Sequence, residues 1–331
     1  MKKILTSLVN GQTLERETTH QVMLRIANGE CSDIQITAFL AAMQLRGVTV
    51  DELLGMRDGL LETGIPVDLS SYEPLDIVGT GGDGKNTFNI STTSCFVVAG
   101  AGIKVAKHGA YAATCVSGAS NCIEGLGVKL NTDADQHQRN LEKCGFTYLH
   151  APLFAKGMKN VAPVRRAMEI PTLFNLLGPL INPCRPKYQL LGTANLEQMR
   201  FYGSVNEKIG TTYGIISSID GYDEISLTGD FKIKTRRREE IFSPSDLGLP
   251  VYTQSDITGG ATKEDAFKIF VSVLEGSSTQ AQKDVVIANS AFAINLVRPE
   301  LSVMDCVAMA RESIESGAAL KVMKEYVALN S

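Results

Sequence analysis

The chain has 331 residues, of which 44% are hydrophobic and 21% are charged, and its net charge is −4. This length can bury a large core and predicts two domains, while the mildly acidic composition excludes a general attraction to nucleic acid or to anionic membranes. No signal peptide and no apolar run of about 20 residues is found, so we expect a cytoplasmic protein without a membrane or nucleic-acid partner. The seven cysteines are scattered without a Cys-x-x-Cys pair, which argues against a disulfide framework or a zinc site.

The first 65 residues predict helices only. One helix is expected over 14–28, and two more follow the capping-box patterns Ser32-x-x-Gln35 and Thr49-x-x-Glu52. Apolar residues of the second helix fall near one face: Ile34, Ala38, Phe39, Ala42 and Leu45. Because three short amphipathic helices bury little alone, they are expected to pack on the rest of the chain, on a second copy of it, or on both.

A change to strand character begins at Leu75. An apolar strand at 75–78 leads into a glycine-rich loop, and a small-residue helix at 92–100 precedes a second strand at 103–107. This order is a βαβ unit, which implies a parallel sheet. Further strands are predicted at 146–149, 213–219, 231–235 and 240–242, and helices at 117–144, 262–276, 278–297 and 304–328.

The predicted fold class is therefore α/β, with a small helical lobe and a larger α/β lobe around a mainly parallel central sheet. The active site is expected in the cleft between the lobes, outside the carboxyl ends of the strands. The helical domain is assigned to 1–70, joined by a returning helical segment at about 132–185. The α/β domain is assigned to 71–131 and 186–331.

The loop from Gly79 to Gly84 matches G-x-G-x-x-G after a strand, a pattern that also occurs in dinucleotide-binding folds. Here the helix does not begin at the third glycine, and Lys104 stands about where such folds carry a ribose-binding carboxylate. The glycines still allow backbone N–H groups to approach an anion. With the hydroxyl and amide groups of 87–92 just before the next helix, they predict a phosphate site, and Ser91 could also face a metal.

Charged residues elsewhere complement this loop. Lys107 and His108 end a parallel strand, where a lysine can neutralise phosphate. Taken alone, the adjacent pair Asp223-Glu224 indicates a solvated turn. Beside a diphosphate site, the two carboxylates suit Mg²⁺, which prefers oxygen ligands. Arg165 offers a guanidinium for a substrate carboxylate.

These motifs together resemble the anthranilate phosphoribosyltransferases of tryptophan biosynthesis. The resemblance rests on 76–84, 87–92, 105–109, 174–183 and 223–224, and extends in order from the N-terminal helices to about Asn289. It implies a two-lobed fold shared with pyrimidine nucleoside phosphorylases, and a homodimer through the N-terminal helical domain. The implied reaction transfers phosphoribosyl from 5-phosphoribosyl 1-diphosphate (PRPP) to the amine of anthranilate and releases diphosphate.

The resemblance also implies the site residues. It assigns PRPP to Gly79, Gly82, Asp83, Thr87, Asn89, Ile90, Ser91, Thr92, Lys107 and Ala119. It assigns anthranilate to Gly79, His108, Ala110 and Arg165, and two Mg²⁺ ions to Ser91, Asp223 and Glu224. No catalytic nucleophile is implied, and Lys107 and His108 are expected nearest the chemistry.

The sequence departs from the family pattern after Lys107-His108-Gly109. Ala110-Tyr111 stand where Asn and often Arg are usual, Thr114-Cys115 where two serines are common, and Asn121 where Asp is common. Ala110 removes an amide from the reaction centre, which is expected to lower catalytic efficiency and anthranilate affinity. Two alternatives remain open, a nucleoside phosphorylase on the same fold and a non-catalytic binding relative; a dinucleotide enzyme is disfavoured by Lys104.

Overall fold

The structure, a computed structural model, describes residues 1–112 and 116–331. The chain forms two compact units, one of Met1–Val67 with Ala151–Arg185 and the other of Asp68–His150 with Pro186–Ser331. The return to the helical unit thus begins at Ala151 and not near residue 132. The reason is that the residues just before it form a strand that pairs within the sheet of the second unit.

The bounds of the elements follow in chain order. The α-helices are α1 Lys2–Val9, α2 Arg16–Ala27, α3 Asp33–Arg46, α4 Val50–Glu62, α5 Ile90–Gly100, α6 Ala119–Gly125, α7 Ala134–Lys143, α8 Ala151–Phe154, α9 Ala162–Met168, α10 Phe174–Leu177, α11 Leu196–Ile209, α12 Lys263–Leu274, α13 Gln280–Val297, α14 Val303–Glu315 and α15 Ala318–Asn330. The strands are β1 Leu75–Gly79, β2 Val105–Gly109, β3 Phe146–His150, β4 Tyr188–Gly192, β5 Thr212–Ser218, β6 Phe231–Thr235 and β7 Glu239–Phe242. Short 3₁₀ segments lie at Ser70–Tyr72, Lys156–Asn160, Gly178–Leu180, Pro244–Leu247 and Gln254–Ile257.

Both predicted capping boxes are present in the helical unit. Ser32 caps α3 and Thr49 caps α4, each by a reciprocal pair of side-chain to backbone hydrogen bonds. Glu52 of the second box is fully buried and also accepts from the Leu14 N–H at 2.8 Å and from Arg46 at 2.6 Å. One carboxylate therefore caps α4 and fixes the chain just before α2.

The apolar residues of α3 divide between two faces. Its core stripe is Ile36, Phe39, Leu40 and Met43, at the i, i+3, i+4, i+7 spacing of a buried helix face. Ile34 and Leu45 are 81% and 90% exposed, so of the apolar face predicted from Ile34 to Leu45 only Phe39 lies in the core. The exposed pair leaves an apolar surface on the helical unit.

Within the described residues the second unit has one seven-stranded sheet in the order β3-β2-β1-β4-β5-β6-β7. The strands from β3 to β5 are parallel, and β6 and β7 are antiparallel additions at one edge, which confirms the mainly parallel sheet. β4 and α11 were not among the predicted elements. β1 and β4 are neighbours at the point where the strand order reverses, which is where parallel α/β sheets bind ligands. None of the described helices is long and apolar enough to cross a membrane.

Candidate active site

Two glycines end the strands at the reversal point. Gly79 of β1 and Gly192 of β4 are register partners. A Cβ atom on Gly79 would overlap the Asp223 carboxylate, and one on Gly192 would overlap the Asp223 carbonyl oxygen. The absence of side chains at both positions therefore lets the segment after β5 lie directly against the carboxyl edge of the sheet.

The glycine loop is shaped to present backbone N–H groups. Gly81 and Gly82 have φ of +66° and +78°, a region in which other residues are strained. The Gly81 N–H donates to Asp223 Oδ2 at 2.6 Å, and the Lys85 N–H donates to Asp83 Oδ1 at 3.1 Å. The loop is thus joined to the acidic pair by a hydrogen bond as well as by close packing.

Several buried polar atoms around the loop have no hydrogen-bond partner within the protein. Among the described residues they include Thr80 Oγ1, Asp83 Oδ2 and Asn89 Oδ1. A buried polar group without a partner is costly, and such groups in native structures commonly await a ligand, water or ion. One hydroxyl and two acceptor oxygens suit a ligand that carries phosphate, hydroxyl groups and a cation.

The acidic pair faces the start of α5. Glu224 accepts from the Ser91 N–H at 2.9 Å, from Ser91 Oγ at 2.7 Å and from Thr87 Oγ1 at 3.1 Å. Ser91 and Glu224, two of the predicted metal ligands, are therefore in contact, and Asp223 is the neighbour of Glu224 in the chain. The structure brings these three residues to one place.

Both carboxylates are buried, each only 8% exposed. Burial raises the pKa of Asp223 well above its ordinary value, and the Glu224 and Asp83 carboxylates raise it further. Burial also raises the pKa of Glu224, against the hydrogen bonds from Ser91 and Thr87, which lower it. A divalent cation would relieve this repulsion, because it favours the ionised carboxylates.

The donor set fits Mg²⁺ rather than a metal held by protein alone. No group of three His, Cys, Asp or Glu side chains suited to a metal occurs in the described parts of the chain. Mg²⁺ is usually held by one or two carboxylates together with substrate phosphates and water. The hydroxyl of Ser91 and the carboxylates of Asp223 and Glu224 match that pattern.

Lys107 and His108 precede Gly109, the last residue of β2, which pairs with β1 in the sheet. Lys107 is 3% exposed, and its Nζ donates to the Ile77 carbonyl of β1 at 2.6 Å. The His108 N–H donates to Asp76 Oδ1, also on β1, at 3.2 Å. Both residues are therefore joined to β1, the strand that leads into the glycine loop.

The chain between β2 and α6 carries the departures from the family pattern. The Ala110 carbonyl accepts from the Ser120 N–H at 3.2 Å, while its side chain is exposed. Tyr111 donates to Glu124 at 2.7 Å, and Asn121 Oδ1 accepts from the Gly118 N–H at 3.0 Å. Thr114 and Cys115 lie outside the described residues. Tyr111 and Asn121 therefore have structural roles of their own, and Ala119 is the first residue of α6.

Arg165 lies on α9 of the helical unit. Its Nη2 donates to Asn175 Oδ1 at 3.2 Å, and its guanidinium lies 5.6 Å from the centre of the Phe174 ring. Burial lowers the pKa of this guanidinium, although it stays charged at neutral pH. Phe174 and Asn175, which orient Arg165, begin the motif 174–183 on which the family resemblance rests.

A further set of contacts was not predicted from the sequence. The residues that leave the glycine loop, Lys85 to Phe88, pair with Gln254–Gly260 through backbone and side-chain hydrogen bonds. Asn86 has a φ of 49° and Gly259 and Gly260 are adjacent. Two sequence signals could have indicated this contact. They are Asn86, which closely follows the glycine loop, and the adjacent glycines Gly259 and Gly260, which allow another segment to come close.

Comparisons with known proteins agree with these features. A glycosyl transferase family model for a helical bundle domain matches residues 2–64, and one for an a/b domain matches residues 71–320. A protein of Phocaeicola vulgatus named anthranilate phosphoribosyltransferase is 54% identical over 331 residues, covering 100% of both chains. One of the same name from Bacteroides thetaiotaomicron is 50% identical over 331 residues, with the same coverage.

Solved structures show the same similarity. The crystal structure of anthranilate phosphoribosyltransferase from Thermus thermophilus has 31% identity and a TM-score of 0.91, and the match covers 98% of each chain. The Saccharomyces cerevisiae enzyme in complex with PRPP and Mg has 27% identity and a TM-score of 0.92, covering 99% of this chain and 96% of the yeast chain.

The buried charge of Asp223 predicts a stability gain when it is removed. At pH 7 the folded state carries a carboxyl whose pKa is raised, so Asp223→Asn should stabilise the ligand-free protein and raise its melting temperature by roughly a few degrees. The amide oxygen can still accept from the Gly81 N–H. As pH rises from about 4, Asp223 ionises in the unfolded state while it is still protonated in the folded state, so the gain from Asn should grow. It should level off above the raised pKa, where both states are ionised.

Differential scanning fluorimetry of Asp223→Asn from pH 4 to 8 measures this gain. The exposed Asp230 provides the matched control, and Asp230→Asn should leave the melting temperature nearly unchanged. A loss of stability in Asp223→Asn at pH 7 would show that the carboxylate is net stabilising and that the repulsion described above is compensated.

Proposed function

The chain belongs to the anthranilate phosphoribosyltransferase family, and we propose that its site transfers the phosphoribosyl group of PRPP to the amine of anthranilate. The observation that carries this proposal is the joining of two buried carboxylates, Asp223 and Glu224, to a glycine loop and to the N-terminus of α5. An anion-binding loop beside a paired acidic site suits a substrate that is both a diphosphate and a magnesium ligand.

We assign Mg²⁺ binding to Ser91, Asp223 and Glu224, with two ions as in the sequence-based expectation. When bound, Mg²⁺ stabilises the negative charge that develops on the departing diphosphate. The yeast relative is solved in complex with PRPP and Mg, which supports the assignment. In this chain Ser91 Oγ already lies 2.7 Å from Glu224 Oε1. The two oxygen atoms are therefore close enough to bind the same cation after a small rearrangement.

PRPP is assigned to the loop and to the start of α5. The N–H groups around Gly82 hold phosphate oxygens, the dipole at the N-terminus of α5 favours their negative charge, and Lys107 adds positive charge. Asp83 and Asn89 each have a buried oxygen without a protein partner, which suits the ribose hydroxyl groups. The complete assigned set is Gly79, Gly82, Asp83, Thr87, Asn89, Ile90, Ser91, Thr92, Lys107 and Ala119.

Anthranilate needs orientation more than activation. Its amine is already a nucleophile, so holding it in line with the breaking bond supplies most of the rate enhancement that the protein contributes there. Arg165 pairs with the anthranilate carboxylate, and Gly79, His108 and Ala110 complete the assigned contacts. No covalent nucleophile is required, because the bond to diphosphate breaks as the amine adds.

A direct product assay tests this function. Purified protein with PRPP, Mg²⁺ and anthranilate should yield phosphoribosyl-anthranilate and diphosphate, detected by mass spectrometry, and omission of Mg²⁺ should abolish the product. Phosphorolysis of thymidine without any phosphoribosyl-anthranilate would instead identify a nucleoside phosphorylase. Neither product, together with no thermal stabilisation by PRPP and Mg²⁺, would favour a non-catalytic relative.

Ala110 generates a gain-of-function prediction. Ala110→Asn restores an amide at a position whose side chain is exposed and whose backbone carbonyl is already bound by Ser120, so the substitution has room and leaves that bond intact. One added hydrogen bond to anthranilate should raise kcat/KM for anthranilate by about 3- to 10-fold. Steady-state kinetics with saturating PRPP measure it, and an unchanged kcat/KM would show that position 110 does not contact the substrate.

The exposed apolar surface of the helical unit supports a homodimer. Ile34 and Leu45 lie eleven positions apart on α3, about three turns, and so share a face; Val9 of α1, which packs on α3, is 79% exposed. We propose that a second copy of the chain covers this surface, since large apolar side chains are seldom grouped in solvent without a partner.

Sedimentation equilibrium tests the dimer. The double variant Ile34→Asp with Leu45→Asp should sediment as a monomer, because it places charge in the proposed interface. Ile241→Asp is the control, since Ile241 is 61% exposed on β7 of the other unit and should leave the dimer intact. A dimer that survives the double substitution would place the interface elsewhere.

A further inference from the structure

The segment Gln254–Gly260, here called the strap, lies on the chain that leaves the glycine loop. The Gly259 N–H donates to the Asn86 carbonyl at 2.8 Å, and Thr87 forms a β-bridge with Thr258. A Cβ atom on Gly259 would come within 2.8 Å of the Thr87 carbonyl oxygen. The strap therefore approaches the loop as closely as a glycine backbone allows.

Asn86 is the residue that joins these segments. Its Nδ2 donates to the Gly260 carbonyl of the strap at 3.0 Å, and its Oδ1 accepts from the Val116 N–H, just before α6, at 3.5 Å. Its φ of 49° is in the left-handed region, which asparagine tolerates better than most residues. The half-buried side chain of Asn86 thus contacts both the strap and the chain before α6. Its backbone forms the turn at the end of the glycine loop.

This turn sets the direction of the residues that follow. Thr87 comes next and donates to Glu224, and the Asn89 amide donates to the Ser117 carbonyl at 3.1 Å. Thr87 and Asn89 are assigned to PRPP on one side, and Ala119 is assigned to it on the other. Asn86 directly precedes Thr87, and its hydrogen bond from the Val116 N–H connects it to the chain that leads to Ala119.

We propose that Asn86 is a positioning residue for PRPP, which holds the exit of the glycine loop between the strap and the residues before α6. The inference rests on the proposed function, because it takes PRPP as the ligand of the loop. Asn86 acts through Thr87, Asn89 and Val116 and has no part in the chemistry. Its loss should therefore weaken PRPP binding more than it slows turnover.

Asn86→Gly separates the side chain from the backbone conformation, because glycine adopts the same positive φ without strain. We expect KM for PRPP to rise about tenfold and kcat to change much less, as for the loss of ground-state binding. The melting temperature of the ligand-free protein should stay within a few degrees of that of the control Asn28→Gly, an exposed asparagine after α2, because Asn86→Gly removes only two side-chain hydrogen bonds. Stabilisation by PRPP with Mg²⁺, measured by thermal shift, should shrink.

A second variant reaches the same contact from the strap. Gly259→Ala keeps the Asn86 side chain but pushes the strap, with its partners of Asn86 at Gly259 and Gly260, away from Thr87, and it should also raise KM for PRPP with a smaller effect on kcat. Agreement of the two variants supports positioning. Kinetics of Asn86→Gly equal to those of Asn28→Gly, or a loss that only follows a lower melting temperature, would overturn it. If the unsubstituted protein makes no product and does not bind PRPP, the proposed function fails first.

Discussion

The approach of Asp223 to the paired glycine ends of β1 and β4 is the constraint on which the candidate site depends. Any side chain at Gly79 or Gly192 would occupy the volume of the Asp223 carboxylate or backbone. With Asp223 held there, its carboxylate meets the Gly81 N–H, and the next residue, Glu224, reaches Ser91 at the start of α5. Two adjacent carboxylates thereby connect the sheet, the glycine loop and a helix N-terminus, which are otherwise separate features of a parallel α/β fold.

This arrangement has an energetic cost in the protein alone. Burial raises the pKa of both carboxyl groups, the Asp83 carboxylate raises both further, and Glu224 also raises that of Asp223. Buried oxygens of Asp83 and Asn89 lack protein partners. Residues arranged for a charged ligand commonly destabilise the fold that carries them. The rest of the second unit supplies the compensation, since α5 is buried along nearly its whole length in the core beside β1. The site can therefore be held in a binding geometry before its ligand arrives.

Features that depend on residues close together in the sequence were predicted more completely than contacts between distant segments. The capping boxes at Ser32 and Thr49, the loop after β1 and the two strands beside it depend on residues within a few positions, and all are present. β4 was missed because its apolar run is short, and the pairing of Gly192 with Gly79 cannot be read from either segment alone. The two faces of α3 could not be distinguished for a related reason, since a helix with apolar residues on both sides needs a known neighbour to reveal which side is the core.

The unusual residues Ala110, Tyr111 and Asn121 differ in what they change. Tyr111 and Asn121 bond to protein groups, Glu124 and the Gly118 N–H respectively, so their side chains support the chain before and within α6 itself. Ala110 contributes a backbone carbonyl to the same support, through Ser120, and an asparagine there would contribute it equally. The alanine thus leaves the scaffold intact and removes only what a side chain would offer a ligand. Under the proposed assignment, recognition of anthranilate then depends more heavily on His108 and Arg165, while the residues assigned to PRPP are the same.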